Sequence, residues 1–139
     1  MENLVNPMTE QQVNKLSMLA LAHVGDAVFE LLVRTRLCAL GPSAVAQLHR
    51  QTVAQVNASA QAEDMKKLLP LLTEEETALY KRGRNAKVNS VPHHADIAQY
   101  HAATGLEALF GWLYLQGKTE RLNELFREIC SGYEKKESR

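Results

Sequence analysis

Residues 16–33 read LSMLALAHVGDAVFELLV, the most continuously apolar part of the first third of the chain. All but five of its residues are apolar, so a helix over it is hydrophobic on almost every side and should lie at the centre of the structure. One small domain offers too little core to cover such a helix all round, which predicts that a second copy of the chain shares it in a homodimer. We expect Val28, Phe29 and Leu32 near that interface.

Two strongly apolar segments each carry a carboxylate in the middle. Asp26 lies in the first, and Glu107 is the only charge in residues 102–115, AATGLEALFGWLYL. A buried carboxylate is costly unless it is paired, protonated or bound to a cation. Gly25 and Gly111 remove bulk beside the two acids and would let another backbone or a substrate come close. The spacing alone does not bring the acids together, and each could instead pair with an arginine, cap a helix or face solvent.

Helix signals continue along the chain and strand signals are nearly absent, so we predict an all-α fold in one domain over residues 1–139. Capping boxes begin at Thr9 and Thr73, and Gly41, Pro70 and Gly117 mark helix ends. The expected helices are a short one after Thr9, one from Ser17 to about Leu40, a short segment from Ser43 to His49, and longer helices over about 52–69, 73–86, 95–116 and 119–130, with a loop at 87–92 and a frayed tail at 134–139.

Composition limits the classes of function. With 16 basic and 16 acidic residues the chain has no net charge, so any binding to nucleic acid must come from a local patch. No segment is long and apolar enough to span a bilayer and no leader precedes the first helix, so we expect a soluble, cytoplasmic protein without a membrane partner. Cys38 and Cys130 lack metal-site spacing and are both expected to be buried free thiols.

Three segments carry a resemblance to a known family. Residues 21–28, LAHVGDAV, place a Gly-Asp pair in a leucine-rich helix. Residues 106–115, LEALFGWLYL, contain a Glu-Ala pair with a glycine four positions after the Glu. Together they resemble the two signatures of the ribonuclease III family. Residues 81–87, KRGRNAK, are similar to the basic segment of its Mini-ribonuclease III branch.

The resemblance implies a fold and a chemistry. Ribonuclease III catalytic domains are helical homodimers that cut double-stranded RNA and leave 5′-phosphate and 3′-hydroxyl ends. The resemblance assigns Asp26 and Glu107 as catalytic residues and Mg²⁺ ligands, a role that suits hard carboxylate oxygens. Members of the branch trim the precursor of 23S ribosomal RNA, which implies an rRNA substrate and, as a further partner, a ribosomal protein or the assembling large subunit.

The sequence departs from the family pattern at two acidic positions, which are Ala22 and Thr104 here. We therefore expect one well-held magnesium rather than a site with four carboxylates. Glu30 and Thr104 are candidates for outer positions around it, although a salt-bridged Glu30 and a merely small Thr104 are the plainer interpretations. No double-stranded-RNA-binding domain follows in the sequence, so we expect weak, salt-sensitive binding.

The basic segment is the main candidate for contact with RNA. The residues expected to bind phosphate and 2′-hydroxyl groups are Lys81, Arg82, Arg84, Asn85 and Lys87, with His49 and Arg50 as weaker candidates. The simpler explanation is that basic residues in the last turn of a helix complement its dipole.

Two other functions compete with the nuclease. A non-catalytic RNA-binding or ribosome-assembly module is suggested by the two missing acids. An HD-type phosphohydrolase is suggested by His93, His94, Asp96 and His101, but the histidines after Pro92 read more readily as loop residues near a helix start. His23 is expected to be a packed core histidine rather than a partner of Asp26.

Overall fold

The computed structural model describes residues 6–86 and 96–137, with side chains described as far as Tyr133. Within these ranges the chain contains helices and no strand, which confirms the predicted all-α class. None of the described helices is long and apolar enough to cross a membrane. The helices are α1 Glu10–Asn14, α2 Met18–Ala39, α3 Val45–Val56, α4 Ala58–Leu68, α5 Glu74–Arg84, α6 Ile97–Leu115 and α7 Thr119–Glu137, with a 3-10 turn at Leu69–Leu71 between α4 and α5.

The predicted helix starts at three capping residues are confirmed. Thr9 and Thr73 each form a full capping box, and the Ser17 side chain accepts a hydrogen bond of 3.0 Å from the backbone nitrogen of Ala20. Each cap satisfies a backbone N–H that the first helical turn leaves without a partner. These starts were predictable because each cap involves residues only three positions apart.

The predicted break between His49 and Thr52 is wrong. α3 runs through this region, and Ser43 does not cap it, because the N-cap residue is Ala44. The chain breaks at Asn57, whose side chain accepts a hydrogen bond of 2.9 Å from the Ala60 nitrogen and donates one of 3.0 Å to the Val53 carbonyl. One asparagine thus ends α3 and begins α4, which explains the interruption without a glycine or proline.

The carboxyl-terminal helix and one cysteine also differ from expectation. α7 continues to Glu137 instead of ending near Cys130, because Tyr133 still packs against the core. Both cysteines are free thiols, but only Cys130 is buried and Cys38 is exposed. Cys38 lies in the last turn of α2, where it borders an open groove against α3.

The core forms around α2 and α6, with α4 and α5 packed against α6. The ring of Phe29 lies 5.5 Å from that of Phe110 on α6 and 6.1 Å from that of Phe126 on α7. Phe29 is 1% exposed and Val28 is 6% exposed, so both are buried within the subunit, and their place near a dimer interface stays a prediction. Leu32 is half-buried against the same core.

α2 and α6 touch backbone to backbone where they cross. A Cβ atom on Gly25 would overlap the carbonyl oxygen of Glu107 and lie 2.9 Å from the Gly111 nitrogen. A Cβ atom on Gly111 would overlap the carbonyl oxygen of Leu21 and lie 3.0 Å from the Gly25 nitrogen. Only glycine permits this approach from either side, as the sequence suggested for both positions.

We expect Gly25→Ala to lower the free energy of unfolding by about 3 kcal/mol, because the added methyl group meets backbone that cannot yield. Gly132→Ala in α7 is the matched control, since its Cβ would meet only the flexible end of Lys67. Urea denaturation of both variants measures the difference. A Gly25→Ala protein within about 1 kcal/mol of the parent would contradict the backbone contact.

Candidate active site

The crossing of α2 and α6 brings Asp26 and Glu107 together. Asp26 follows Gly25 on α2, and Gly25 packs on the backbone of Glu107 itself. The two side chains interact directly, through a hydrogen bond as well as through charge. The pairing that the sequence spacing could not establish is therefore present in a single subunit.

The pair is electrostatically strained when no cation is bound. Burial raises the pKa of Glu107, and the hydrogen bond and negative charge of Asp26 raise it further, to about 9. At neutral pH and without a cation, Glu107 is therefore protonated. Two oxygen-bearing side chains that share one proton form the type of pair from which a divalent cation displaces the proton.

On α2, the solvent exposure of the residues at and near the pair differs from the sequence prediction. Asp26 and His23 are both exposed in the subunit, whereas Glu107 is half-buried. The prediction of a buried Asp26 is thus wrong for the single chain, and so is the prediction of a packed core histidine at His23. The reason is that α6 covers only one face of α2, the face of Leu21 and Gly25.

Glu30 and Thr104, the candidates for outer positions around the metal, form contacts with other residues. Glu30 forms an ion pair of 2.9 Å with Arg34, one turn further along α2, and both side chains are partly exposed. Thr104 is buried and its hydroxyl donates a hydrogen bond of 3.0 Å to the Tyr100 carbonyl. These contacts match the plainer interpretations, and a role beside a metal stays a prediction for both residues.

The basic end of α5 lies beside α6 because two glycines meet there. A Cβ on Gly83 would lie 3.1 Å from the Cα atom of Gly105, so the two helices approach closely. Lys81, Arg82 and Asn85 are exposed, and the Arg84 guanidinium lies 5.7 Å from the centre of the Tyr80 ring. Lys87 lies outside the described residues. The exposed His49 and Arg50 lie on α3.

The histidine cluster does not form a metal site in the described part of the chain. Asp96 is the N-cap of α6, and its carboxylate accepts a hydrogen bond of 3.0 Å from the Gln99 nitrogen. His101 is half-buried and stacks edge-on against Tyr100. His93 and His94 lie outside the described residues. Among the described side chains, no group of three or more His, Cys, Asp or Glu residues is arranged to hold a metal.

Sequence reasoning missed one residue of the site. Gln61 on α4 is 2% exposed, and its interaction with Glu107 lowers the pKa of that carboxyl. A signal was present in the sequence: Gln61 falls in line with Ala58, Met65 and Leu68 on one face of α4, where an apolar residue is the usual choice.

We expect Glu107→Gln to stabilise the metal-free protein in a manner that depends on pH. The folded-state pKa of about 9 exceeds the ordinary value of 4.5, so the folded chain keeps a proton that the unfolded chain loses between these values. The free energy of unfolding of the parent protein therefore falls as the pH rises between these two pKa values. Glu107→Gln has no carboxyl proton to lose, so its stability does not fall for this reason. Between about pH 5 and pH 8 the linked proton corresponds to about 4 kcal/mol, so in EDTA its advantage in Tm should grow by roughly 10 °C.

Thermal melts at several pH values measure this effect, with Glu10→Gln at an exposed position of α1 as the control. Parallel Tm curves for Glu107→Gln and the parent would show that Glu107 has no unusual pKa.

Comparison with known proteins places this geometry in a family. The ribonuclease III domain matches residues 19–118, a range that contains both Asp26 and Glu107. The chain is 46% identical to a Mini-ribonuclease 3 of Thermoanaerobacter sp. (strain X514) over 118 residues, which cover 85% of this chain and 83% of that protein. It is 45% identical to a Mini-ribonuclease 3 of Symbiobacterium thermophilum over 132 residues, which cover 95% and 97% of the two chains.

A solved structure has the same architecture. The crystal structure of protein FN1578 from Fusobacterium nucleatum superposes with a TM-score of 0.78 at 32% identity, covering 88% of this chain and 98% of that one. The matched family favours the nuclease over both the non-catalytic module and the HD-type phosphohydrolase. The chain therefore belongs to the ribonuclease III family and is an endoribonuclease of the ribonuclease III type.

Proposed function

We propose that this endoribonuclease cleaves double-stranded RNA with Asp26 and Glu107 as its catalytic residues and Mg²⁺ ligands. The observation that carries the proposal is the contact between the two carboxyl groups at the helix crossing. Burial and, after it, this contact raise the pKa of Glu107 to about 9. Such a pair is unfavourable for folding alone and becomes favourable once a cation offsets its charge.

The residues of the site fit magnesium. Mg²⁺ in proteins is held by one or two carboxylates and keeps several waters, and the exposed side of Asp26 leaves room for water and for a phosphate. When bound, magnesium would activate water for attack on the phosphodiester and offset the charge that develops on the phosphate. The products would carry 5′-phosphate and 3′-hydroxyl ends.

The chain itself holds the two carboxyl groups in position and releases the proton of Glu107. Glu107 gives up its proton to become a ligand, and the fixed crossing at Gly25 holds Asp26 beside it. Because the carboxylates sit on two rigid helices rather than on loops, little reorganisation is needed on binding. Glu30 and Thr104 are proposed only for outer positions.

The exposed basic end of α5 is proposed to contact the RNA backbone. Lys81, Arg82 and Asn85 face solvent on the helix that packs against α6, the helix of Glu107. With no net charge on the whole chain, this local patch is the natural electrostatic attraction for phosphate. Lys87, the last residue of the basic segment in the sequence, is proposed for the same role. His49 and Arg50 on α3 are proposed as weaker contacts to the RNA.

The proposed natural substrate is a duplex in the precursor of 23S ribosomal RNA, processed in the cytoplasm. The proposal follows from the similarity to the Mini-ribonuclease III branch. A neutral protein binds RNA weakly, so a ribosomal protein or the assembling large subunit is a suitable source of additional affinity.

We expect Asp26→Asn and Glu107→Gln each to reduce cleavage of a long RNA duplex in magnesium by about 100-fold or more, because each removes a charged ligand while preserving shape. Glu10→Gln serves as the control for a general effect of charge. Single-turnover cleavage assays, with circular dichroism to verify folding, measure the loss. Near-native turnover by either variant would overturn the catalytic assignment.

The second subunit of the proposed homodimer would cover the exposed side of α2. Leu19 and Leu31 are 41% and 43% exposed there, although both lie on the most apolar part of the helix. Beside them is an open groove of about 320 Å³ lined by His23, Val24, Ala27, Val28, Leu31 and Tyr114. His23 and Ala27 flank Asp26 on α2, so a twofold axis at this face would place the two active sites of the dimer on the same side of the particle. One RNA duplex lying across both sites would then be cut on each strand and would leave short 3′ overhangs.

We expect Leu31→Glu to weaken the dimer at least about 10-fold while the subunit stays folded, because a charge is forced into an apolar interface. Leu40→Glu is the matched control, since Leu40 is 60% exposed at the end of α2. Analytical ultracentrifugation across a range of concentrations measures both variants. Sedimentation of the unmodified protein as a monomer of 15.5 kDa would contradict the paired-site arrangement.

A further inference from the structure

α4 turns polar side chains toward the interior. Its buried residues are Gln61, Ala62, Asp64, Met65 and Leu68. Gln61 is 2% exposed, so its amide has been withdrawn from water almost completely. Burial of an amide lowers stability when its hydrogen bonds are not replaced, whereas methionine or leucine would fill similar space without that cost.

The Gln61 amide lies against the carboxyl group of Glu107. α4 packs against α6, and the Gln61 side chain comes within hydrogen-bonding contact of the Glu107 carboxyl group. The buried Nε2 atom makes no well-aligned hydrogen bond to any acceptor in the described residues. A buried N–H donor is thus held beside the carboxyl group without another partner.

We propose that Gln61 is a positioning residue that donates its side-chain N–H to the ionised Glu107 carboxylate and fixes the carboxylate for a divalent cation. The inference rests on the proposed role of Glu107 as a metal ligand. One oxygen lone pair is taken by the amide, which limits rotation of the carboxylate and leaves the remaining lone pairs for the cation.

The chemistry of an amide suits this position better than the alternatives. A lysine or arginine would form an ion pair with Glu107 and compete with the cation. A third carboxylate would add repulsion to a pair that already shares a proton. An amide supplies a donor with no net charge, so it favours the ionised form of Glu107 without replacing the metal.

The direct test is magnesium binding in the absence of RNA. We expect Gln61→Met, which keeps length and approximate volume but removes the donor, to weaken Mg²⁺ binding about 10-fold in isothermal titration calorimetry. Gln55→Met is the matched control: Gln55 on α3 also has a buried side-chain atom without a partner, its Oε1, but it does not interact with Glu107. Circular dichroism verifies that both variants fold.

The effect on cleavage distinguishes positioning from a structural role. At saturating magnesium Gln61→Met should recover most of its turnover, because Asp26 and Glu107 are still present. A purely structural role would instead lower thermal stability and turnover at every magnesium concentration. That outcome, or an Mg²⁺ affinity equal to that of Gln55→Met, would overturn the proposal.

Magnesium binding by Glu107→Gln and by Gln61→Met distinguishes a failure of this inference from a failure of the proposed function. If Glu107→Gln leaves magnesium affinity unchanged, the metal site itself is misassigned and the role of Gln61 falls with it. If Glu107→Gln abolishes binding while Gln61→Met binds like the control, only the role of Gln61 is overturned.

A measurement on the unmodified protein covers the case in which Gln61→Met does not fold. In a side-chain amide NMR spectrum, the Gln61 resonances should shift on addition of MgCl₂, and the shift should vanish in Glu107→Gln. A Gln61 signal that does not respond to magnesium would overturn the proposal.

Discussion

The backbone contact between α2 and α6 sets the positions of both the core and the carboxyl pair. Gly25 and Gly111 allow two helices to approach more closely than side chains ordinarily permit. This approach places the carboxyl groups of Asp26 and Glu107 against each other, and it aligns Phe29 with Phe110 in the core one turn further along α2. Packing and candidate chemistry therefore share the same helix crossing.

The same crossing creates a local conflict. Apolar contacts around α6 stabilise the fold, while burial of Glu107 beside Asp26 disfavours the ionised form of that carboxyl group. Conflicts of this kind are typical of functional sites, where pre-organised charge is maintained by the stability of the surrounding core. In this chain the surrounding core includes side chains that are almost fully buried, such as Leu106 and Leu109 on α6.

α4 and α5 support the site from the other sides of α6. On α5, the contact of Gly83 with Gly105 keeps the basic last turn close to the helix that carries Glu107. On α4, Gln61 reaches Glu107 because Asn57 interrupts the preceding helix and starts a new one. A continuous helix through Asn57 would place Gln61 differently, so a local capping event has a consequence for the site.

The helical class, the helix starts at Thr9, Ser17 and Thr73, and the family signatures around Asp26 and Glu107 could all be predicted from the sequence. Helix caps are predictable because they depend on hydrogen bonds between residues three apart, and the signatures are predictable because they are contiguous. The packing of the helices was needed to show that the two acids meet, that Phe29 is core, that His23 and Cys38 are exposed, and that Gln61 faces Glu107. The physical reason is that burial and contact between distant residues depend on which face of each helix its neighbours cover, and apolar periodicity cannot specify this for a helix such as α2 that is hydrophobic on nearly every side.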